Sequence, residues 1–166
     1  MHISAGDVIL LAHAFFGATG CLGALWVFVE ALNASPGNLS RIRAASLLTA
    51  GCIVAAWICG GYWYLRFYPA ERELVLNGPW PFAHNIFMET KEHLFFATAV
   101  LALLLPIAAR EKLDSNSAAR RLVLSVAALV AITGLAMEGA GAVIDHGVKV
   151  ALLQKASPRQ APRDGR

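Results

Sequence analysis

Between Pro81 and His93 the chain carries His84, Glu89, Lys91, Glu92 and His93, then runs from Leu94 to Ala109 almost without polarity. An ionisable side chain inside a bilayer costs about 2.5 to 3.5 kcal/mol on insertion scales, so such a cluster is expected to be paired, metal-bound or hydrated. Glu89 and His93 stand at i and i+4, and Glu92 lies about 60° from Glu89 around an α-helix, so all three are expected to face one side. Lys91 falls on roughly the other side, where a long side chain snorkels to the interface. Elsewhere the chemistry-bearing residues are His13 in the first apolar run and Glu138, Asp145 and His146 late in the chain.

Imidazoles and carboxylates from several helices are the ligand types of transition-metal centres. His13, Glu89, Glu92, His93 and Glu138 are the expected ligands of iron, zinc or copper, with Asp145, His146, Tyr62 and His84 around them. The Glu-x-x-His order of carboxylate-bridged di-metal bundles is absent, because Glu92 and Gly141 occupy the positions where its histidines would stand. The alternative is a b-type haem between His13 and His93, with Arg66 or Lys91 near the propionates and Gly17, Gly20, Gly60, Gly61 and Gly141 making room. A haem leaves Glu89, Glu92 and Glu138 without partners. A third reading needs no cofactor: the same groups, with Arg66 and the tyrosines, form a proton path or a quinone headgroup pocket. In its plainest form that reading is an accessory subunit docking onto a larger, respiratory-type membrane complex or onto a second copy. Each reading leaves open an oxidoreductase or a subunit of one. Covalent c-type haem is excluded, since no Cys-x-x-Cys-His occurs. Nucleotide-loop and Ser-His-Asp signatures are also missing.

The elements that must position these residues follow from composition. The 166 residues are 57% hydrophobic and 15% charged, with a mean hydropathy of +0.57. A soluble domain carries about a quarter charged residues. A hydrocarbon core takes about 20 apolar residues of helix, and four runs reach that length: Val8 to Leu32, Ala44 to Tyr68, Phe82 to Ala109 and Leu122 to Val148. The first run lacks a basic leader and a cleavage site and is expected to remain as a span. The fold class is an all-α integral membrane protein, one domain of four helices in an antiparallel up-down bundle with both termini on the same side. Hairpin connectivity then collects His13, Arg66, His84, Glu89, Glu92, His93, Glu138, Asp145 and His146 at one face. Helical rise puts His13, Glu89, Glu92, His93 and Glu138 roughly 9 to 15 Å below that surface.

Local signals complete the expectation. Asp7 reads as the cap of helix one, and Gly6, His13, Gly17, Gly20 and Ala24 form its small-residue face. Tyr62, Trp63, Tyr64, Phe67 and Tyr68 read as an interfacial belt. Arg66 shares a face with Cys52 and Cys59 and is expected to turn inward. Residues 70–76 read as a short surface helix, part of a connection placed to act as a lid. Cys21, Cys52 and Cys59 all lie in spans, which argues against a disulfide framework. The net charge of +3 reflects loops and tail and is no argument for nucleic acid. Arg41, Arg43, Arg110, Lys112, Arg120 and Arg121 crowd the loops opposite the site, which puts the termini and the site on the non-cytoplasmic face. The segment 157–166 is expected to be a disordered basic tail.

Overall fold

The computed structural model describes residues 4–157, so the expected tail, apart from Ser157, lies outside the described residues. Among the described residues every regular element is helical and there is no strand. Helix α1 spans Ala5–Leu32, α2 Leu39–Arg66, α3 Tyr68–Leu76, α4 Glu89–Ala108 and α5 Ser117–Ala156. A π-helical segment, Ala83–Met88, runs directly into α4. Four helical segments, α1, α2, the π segment with α4, and α5, are long and apolar enough to cross a membrane. The chain is an integral multi-pass membrane protein.

Each span begins and ends for local reasons. At α1 the cap is Ser4 rather than Asp7. The Asp7 backbone N–H donates to Ser4 Oγ at 3.2 Å, and the Ser4 backbone N–H donates to Asp7 Oδ2 at 2.9 Å, a reciprocal capping box. Helix α2 starts at Leu39, five residues ahead of the apolar run, because Asn38 organises the turn before it. Its Nδ2 donates to the Glu30 carbonyl at 3.1 Å and to Glu30 Oε2 at 2.9 Å, while the Ser35 N–H donates to Asn38 Oδ1 at 2.8 Å. Arg41 closes the same corner through a two-pronged pair with Glu30, at 3.0 and 3.1 Å. Arg43 donates to the Ala109 and Arg110 carbonyls at 3.1 and 3.0 Å, capping the C-terminal end of α4 where the helix dipole is negative. Asn116 Oδ1 accepts from the Ala119 N–H at 3.0 Å and opens α5.

Small residues let the long helices approach one another, as they do where lipid offers no hydrophobic drive between helices. A Cβ at Gly23 would lie 2.6 Å from Thr49 Oγ1, and one at Gly20 would lie 2.7 Å from Ile53 Cδ1, so α1 and α2 pack nearly backbone to backbone. Gly6 meets Phe67 at the other end of the same pair. Helix α1 also meets α5, with Cys21 against Gly134. Between α4 and α5 the Thr98 hydroxyl donates to Thr133 Oγ1 at 2.9 Å.

The main core joins Val27, Ala31, Ile42, Leu105, Val123 and Val130 in the half of the bundle near the Glu30 corner. Trp63, Tyr68, Met88 and Ile144 form a second cluster, and Val75, Ala83 and Val148 a third, under α3 and the π segment. Leu11, Phe15, Leu22, Val29, Leu65, Val100 and Ile132 are exposed, an outward-facing apolar surface suited to lipid.

Candidate functional site

Within the bundle, His13 of α1, Lys91 of α4 and Glu138 of α5 line one small cavity together with Gly17, Cys21, Ile53, Ala56, Phe95, Gly134 and Met137. Its volume is about 20 Å³, the size of roughly one water. Two glycines admit the charged groups. A Cβ at Gly17 would collide with Glu138 Oε1, and one at Gly141 would lie 3.1 Å from Lys91 Nζ.

The His13 ring is fixed from α2. Nδ1 lies 2.8 Å from the Ala56 carbonyl oxygen, which can only accept, so Nδ1 carries hydrogen and a neutral ring leaves Nε2 as its free lone pair. Gly60 is flush against this ring, since a Cβ there would fall 2.6 Å from Nδ1.

A second polar group sits where α3 and the π segment meet. His84 is only 3% exposed, and both of its ring nitrogens are engaged. Arg72 Nε donates to His84 Nε2 at 2.9 Å. An arginine cannot accept, so Nε2 is unprotonated, and the ring hydrogen on Nδ1 is donated to Tyr68 Oη at 2.9 Å. Glu89 Oε1 lies 3.9 Å from Nε2. Burial, and next the neighbouring Tyr64, push the Tyr68 phenol well above its ordinary pKa, so it stays neutral. Tyr64 stacks on Tyr68 with ring centroids 5.3 Å apart and lies beside Glu92. Glu92 Oε1 is buried and, among the described residues, has no hydrogen-bond partner.

Of the five expected ligands, His13 and Glu138 share the cavity. Glu92 faces Tyr64, whereas Glu89 and His93 lie on the exposed side of α4 with Phe96 and Val100. The His93 ring turns back on its own helix, with Nδ1 2.6 Å from the Glu89 carbonyl oxygen. Among the described residues no three His, Cys, Asp or Glu side chains converge as a metal-binding group. The expected outer groups are dispersed. Asp145 pairs with Lys149, His146 packs on Trp80 at 4.8 Å, and Tyr62 and Arg66 are exposed.

The inward turn expected of Arg66 is not found, because α2 ends there and the side chain sits at its rim. Lys91 is the converse case: expected to snorkel, it lines the cavity. It continues the inner stripe of α4, in which Leu105, Ala102 and Thr98 are buried and Phe95 lines the cavity. Comparison of the chain with protein-family models, curated proteins and solved structures finds no match.

Proposed function

We propose that the protein handles protons within the membrane, and that His13, Lys91 and Glu138 are its protonatable centre. The observation that carries this reading is the convergence of an imidazole, an amine and a carboxylate from three helices on one water-sized cavity in an apolar bundle. Lys91 and Glu138 carry opposite charges on one cavity without touching directly, so a water between them is what joins cation to anion. The centre then takes up one further proton, at His13 Nε2 or at the Glu138 carboxylate, and a single bridging water completes the hydrogen bonds.

Both termini lie on one side of the membrane and successive spans run antiparallel in this reading. Gly6 beside Phe67, Gly23 beside Thr49 and Arg43 beside Ala109 support that arrangement. The basic loops favour a non-cytoplasmic site. Glu89 and His93 on an otherwise apolar outward stripe favour a partner within the membrane, either a larger respiratory-type complex or a second copy.

The test is an infrared pH titration of the protein in nanodiscs, alongside proton flux into vesicles carrying it. A titrating carboxyl band that disappears in Glu138→Gln and moves in Lys91→Met, with flux reduced at least about tenfold in both, is the expected result. A band and a flux unchanged in Glu138→Gln would refute the assignment.

One observation favours a second reading, a transition metal or haem b bound at His13. Donation of Nδ1–H to a backbone carbonyl, leaving Nε2 free, is how metal-ligating histidines are oriented. The cavity also offers Glu138, but Lys91 brings a competing cation. Lys91 lines the His13 cavity while His93 lies on the exposed side of α4, which works against a haem shared by His13 and His93 within one chain. Stoichiometric metal by elemental analysis, or a reduced-minus-oxidised haem band, lost in His13→Ala, distinguishes this reading.

A further inference from the structure

We propose that α3 is fastened to the mouth of the bundle by a clamp that proton uptake on His84 releases. The clamp stands on donor and acceptor arithmetic. His84 Nε2 has one lone pair in the ring plane, and Arg72 Nε–H occupies it at 2.9 Å. A proton on Nε2 and this bond are mutually exclusive, because the arginine has no acceptor to offer. On protonation Arg72 must leave, and its exposed position lets it swing into water. The new Nε2–H faces Glu89 Oε1, 3.9 Å away, so a closure of about 1 Å converts that approach into a charge-assisted hydrogen bond. One proton thus exchanges a bond between α3 and the π segment for a bond between the π segment and α4.

The surroundings fit such an exchange. From α3 the ring meets Tyr68 and Arg72, and from α4 it meets Glu89. Tyr64 of α2 reaches it only through Tyr68, with Glu92 of α4 beyond. Among the described residues no charged side chain of α5 is within ion-pair distance of His84: Asp145 is held by Lys149, and His146 packs on Trp80. Glu71, the half-buried acid of α3, is not paired with His84 either. When Arg72 leaves, α3 keeps the Tyr68–His84 hydrogen bond and the packing of Tyr68 and of Val75, the latter against Ala83, Gly147 and Val148.

Hydrogen exchange of residues 68–76 in the full-length protein in nanodiscs, corrected for the intrinsic pH dependence of exchange, tests the clamp. In the wild type, protection of α3 is expected to fall about tenfold or more between about pH 8 and pH 5, the interval in which imidazoles change charge. Arg72→Met, at an exposed position, is expected to show the low protection already at pH 8. Glu89→Gln, which leaves the Arg72–His84 bond intact, is expected to keep full protection at pH 8. Nitrogen NMR of labelled histidine is expected to show Nε2 of His84 unprotonated at pH 8. Protection of α3 that does not fall toward pH 5 in the wild type, or a fall toward pH 5 that survives in Arg72→Met, would overturn the proposal.

Discussion

Replacing Gly60 with alanine should unseat His13, and the adjacent Gly61 supplies an internal control. A Cβ at Gly60 would stand 2.6 Å from His13 Nδ1 and 2.7 Å from Cε1, whereas ordinary contact begins at 3.4 Å, so the ring must retreat by about 0.8 Å. That retreat stretches the 2.8 Å bond from Nδ1 to the Ala56 carbonyl past useful length. A partly buried donor left without an acceptor costs about 1 to 3 kcal/mol. Against this, alanine in a helix interior is favoured over glycine by about 1 kcal/mol. Gly60→Ala should therefore be neutral to about 2 kcal/mol less stable than wild type. A Cβ at Gly61 meets nothing within 4 Å, so Gly61→Ala keeps only the gain. Because both positions share one helix, the difference between the two variants, about 1 to 3 kcal/mol, isolates the seating of the imidazole. Reversible unfolding in mixed micelles measures it. Two variants agreeing within about 0.5 kcal/mol, the ordinary scatter of a surface substitution, would refute the argument that α2 pins His13.

Other consequences can be measured on the same preparation. Glu71, on α3 outside the spans, is held above the usual carboxylate range by burial first and then by Asp145 and Asp7. Its folded state therefore binds the proton more tightly than the unfolded chain, so its contribution to stability is present at low pH and is lost as pH rises through the raised value. Glu71→Gln should be more stable than wild type at pH 7 and should match it near pH 4 in thermal unfolding. Arg43→Met, which removes the two donors from the end of α4, should lower stability by about 1 kcal/mol, read from the same unfolding curves.

Hydropathy made the four spans legible because twenty apolar residues in succession have few alternatives to a membrane helix. Their ends were less legible. Helix α5 runs from Ser117 to Ala156, beyond the apolar stretch at both ends, because Asn116 caps it early and Ala, Leu, Gln and Lys sustain helix in water as readily as in lipid. At the site, His13 and Glu138 were readable from their depth and type. A wheel of α4 oriented by the pairing of Glu89 with His93 turns Lys91 away from the bundle. Extending the stripe from Leu105 through Ala102, Thr98 and Phe95 leads to the lysine instead. His84 is legible as a residue near the site, but its approach to Glu89 is not. Five residues separate it from Glu89, which is about 140° around an α-helix, but an i to i+5 helix brings such positions nearly into line. No local residue pattern announced that Ala83–Met88 would take the wider winding.

Helix α5 is 40 residues long, a rod of roughly 60 Å against a hydrocarbon slab of about 30 Å. Val75, Trp80 and Ala83 bear on its Gly147, and Gly78 bears on its Ala151. Glu138 lies on the same unbroken rod, nine residues from Gly147. A tilt of α5 as one rod would therefore carry the α3 seat and the Glu138 carboxylate together.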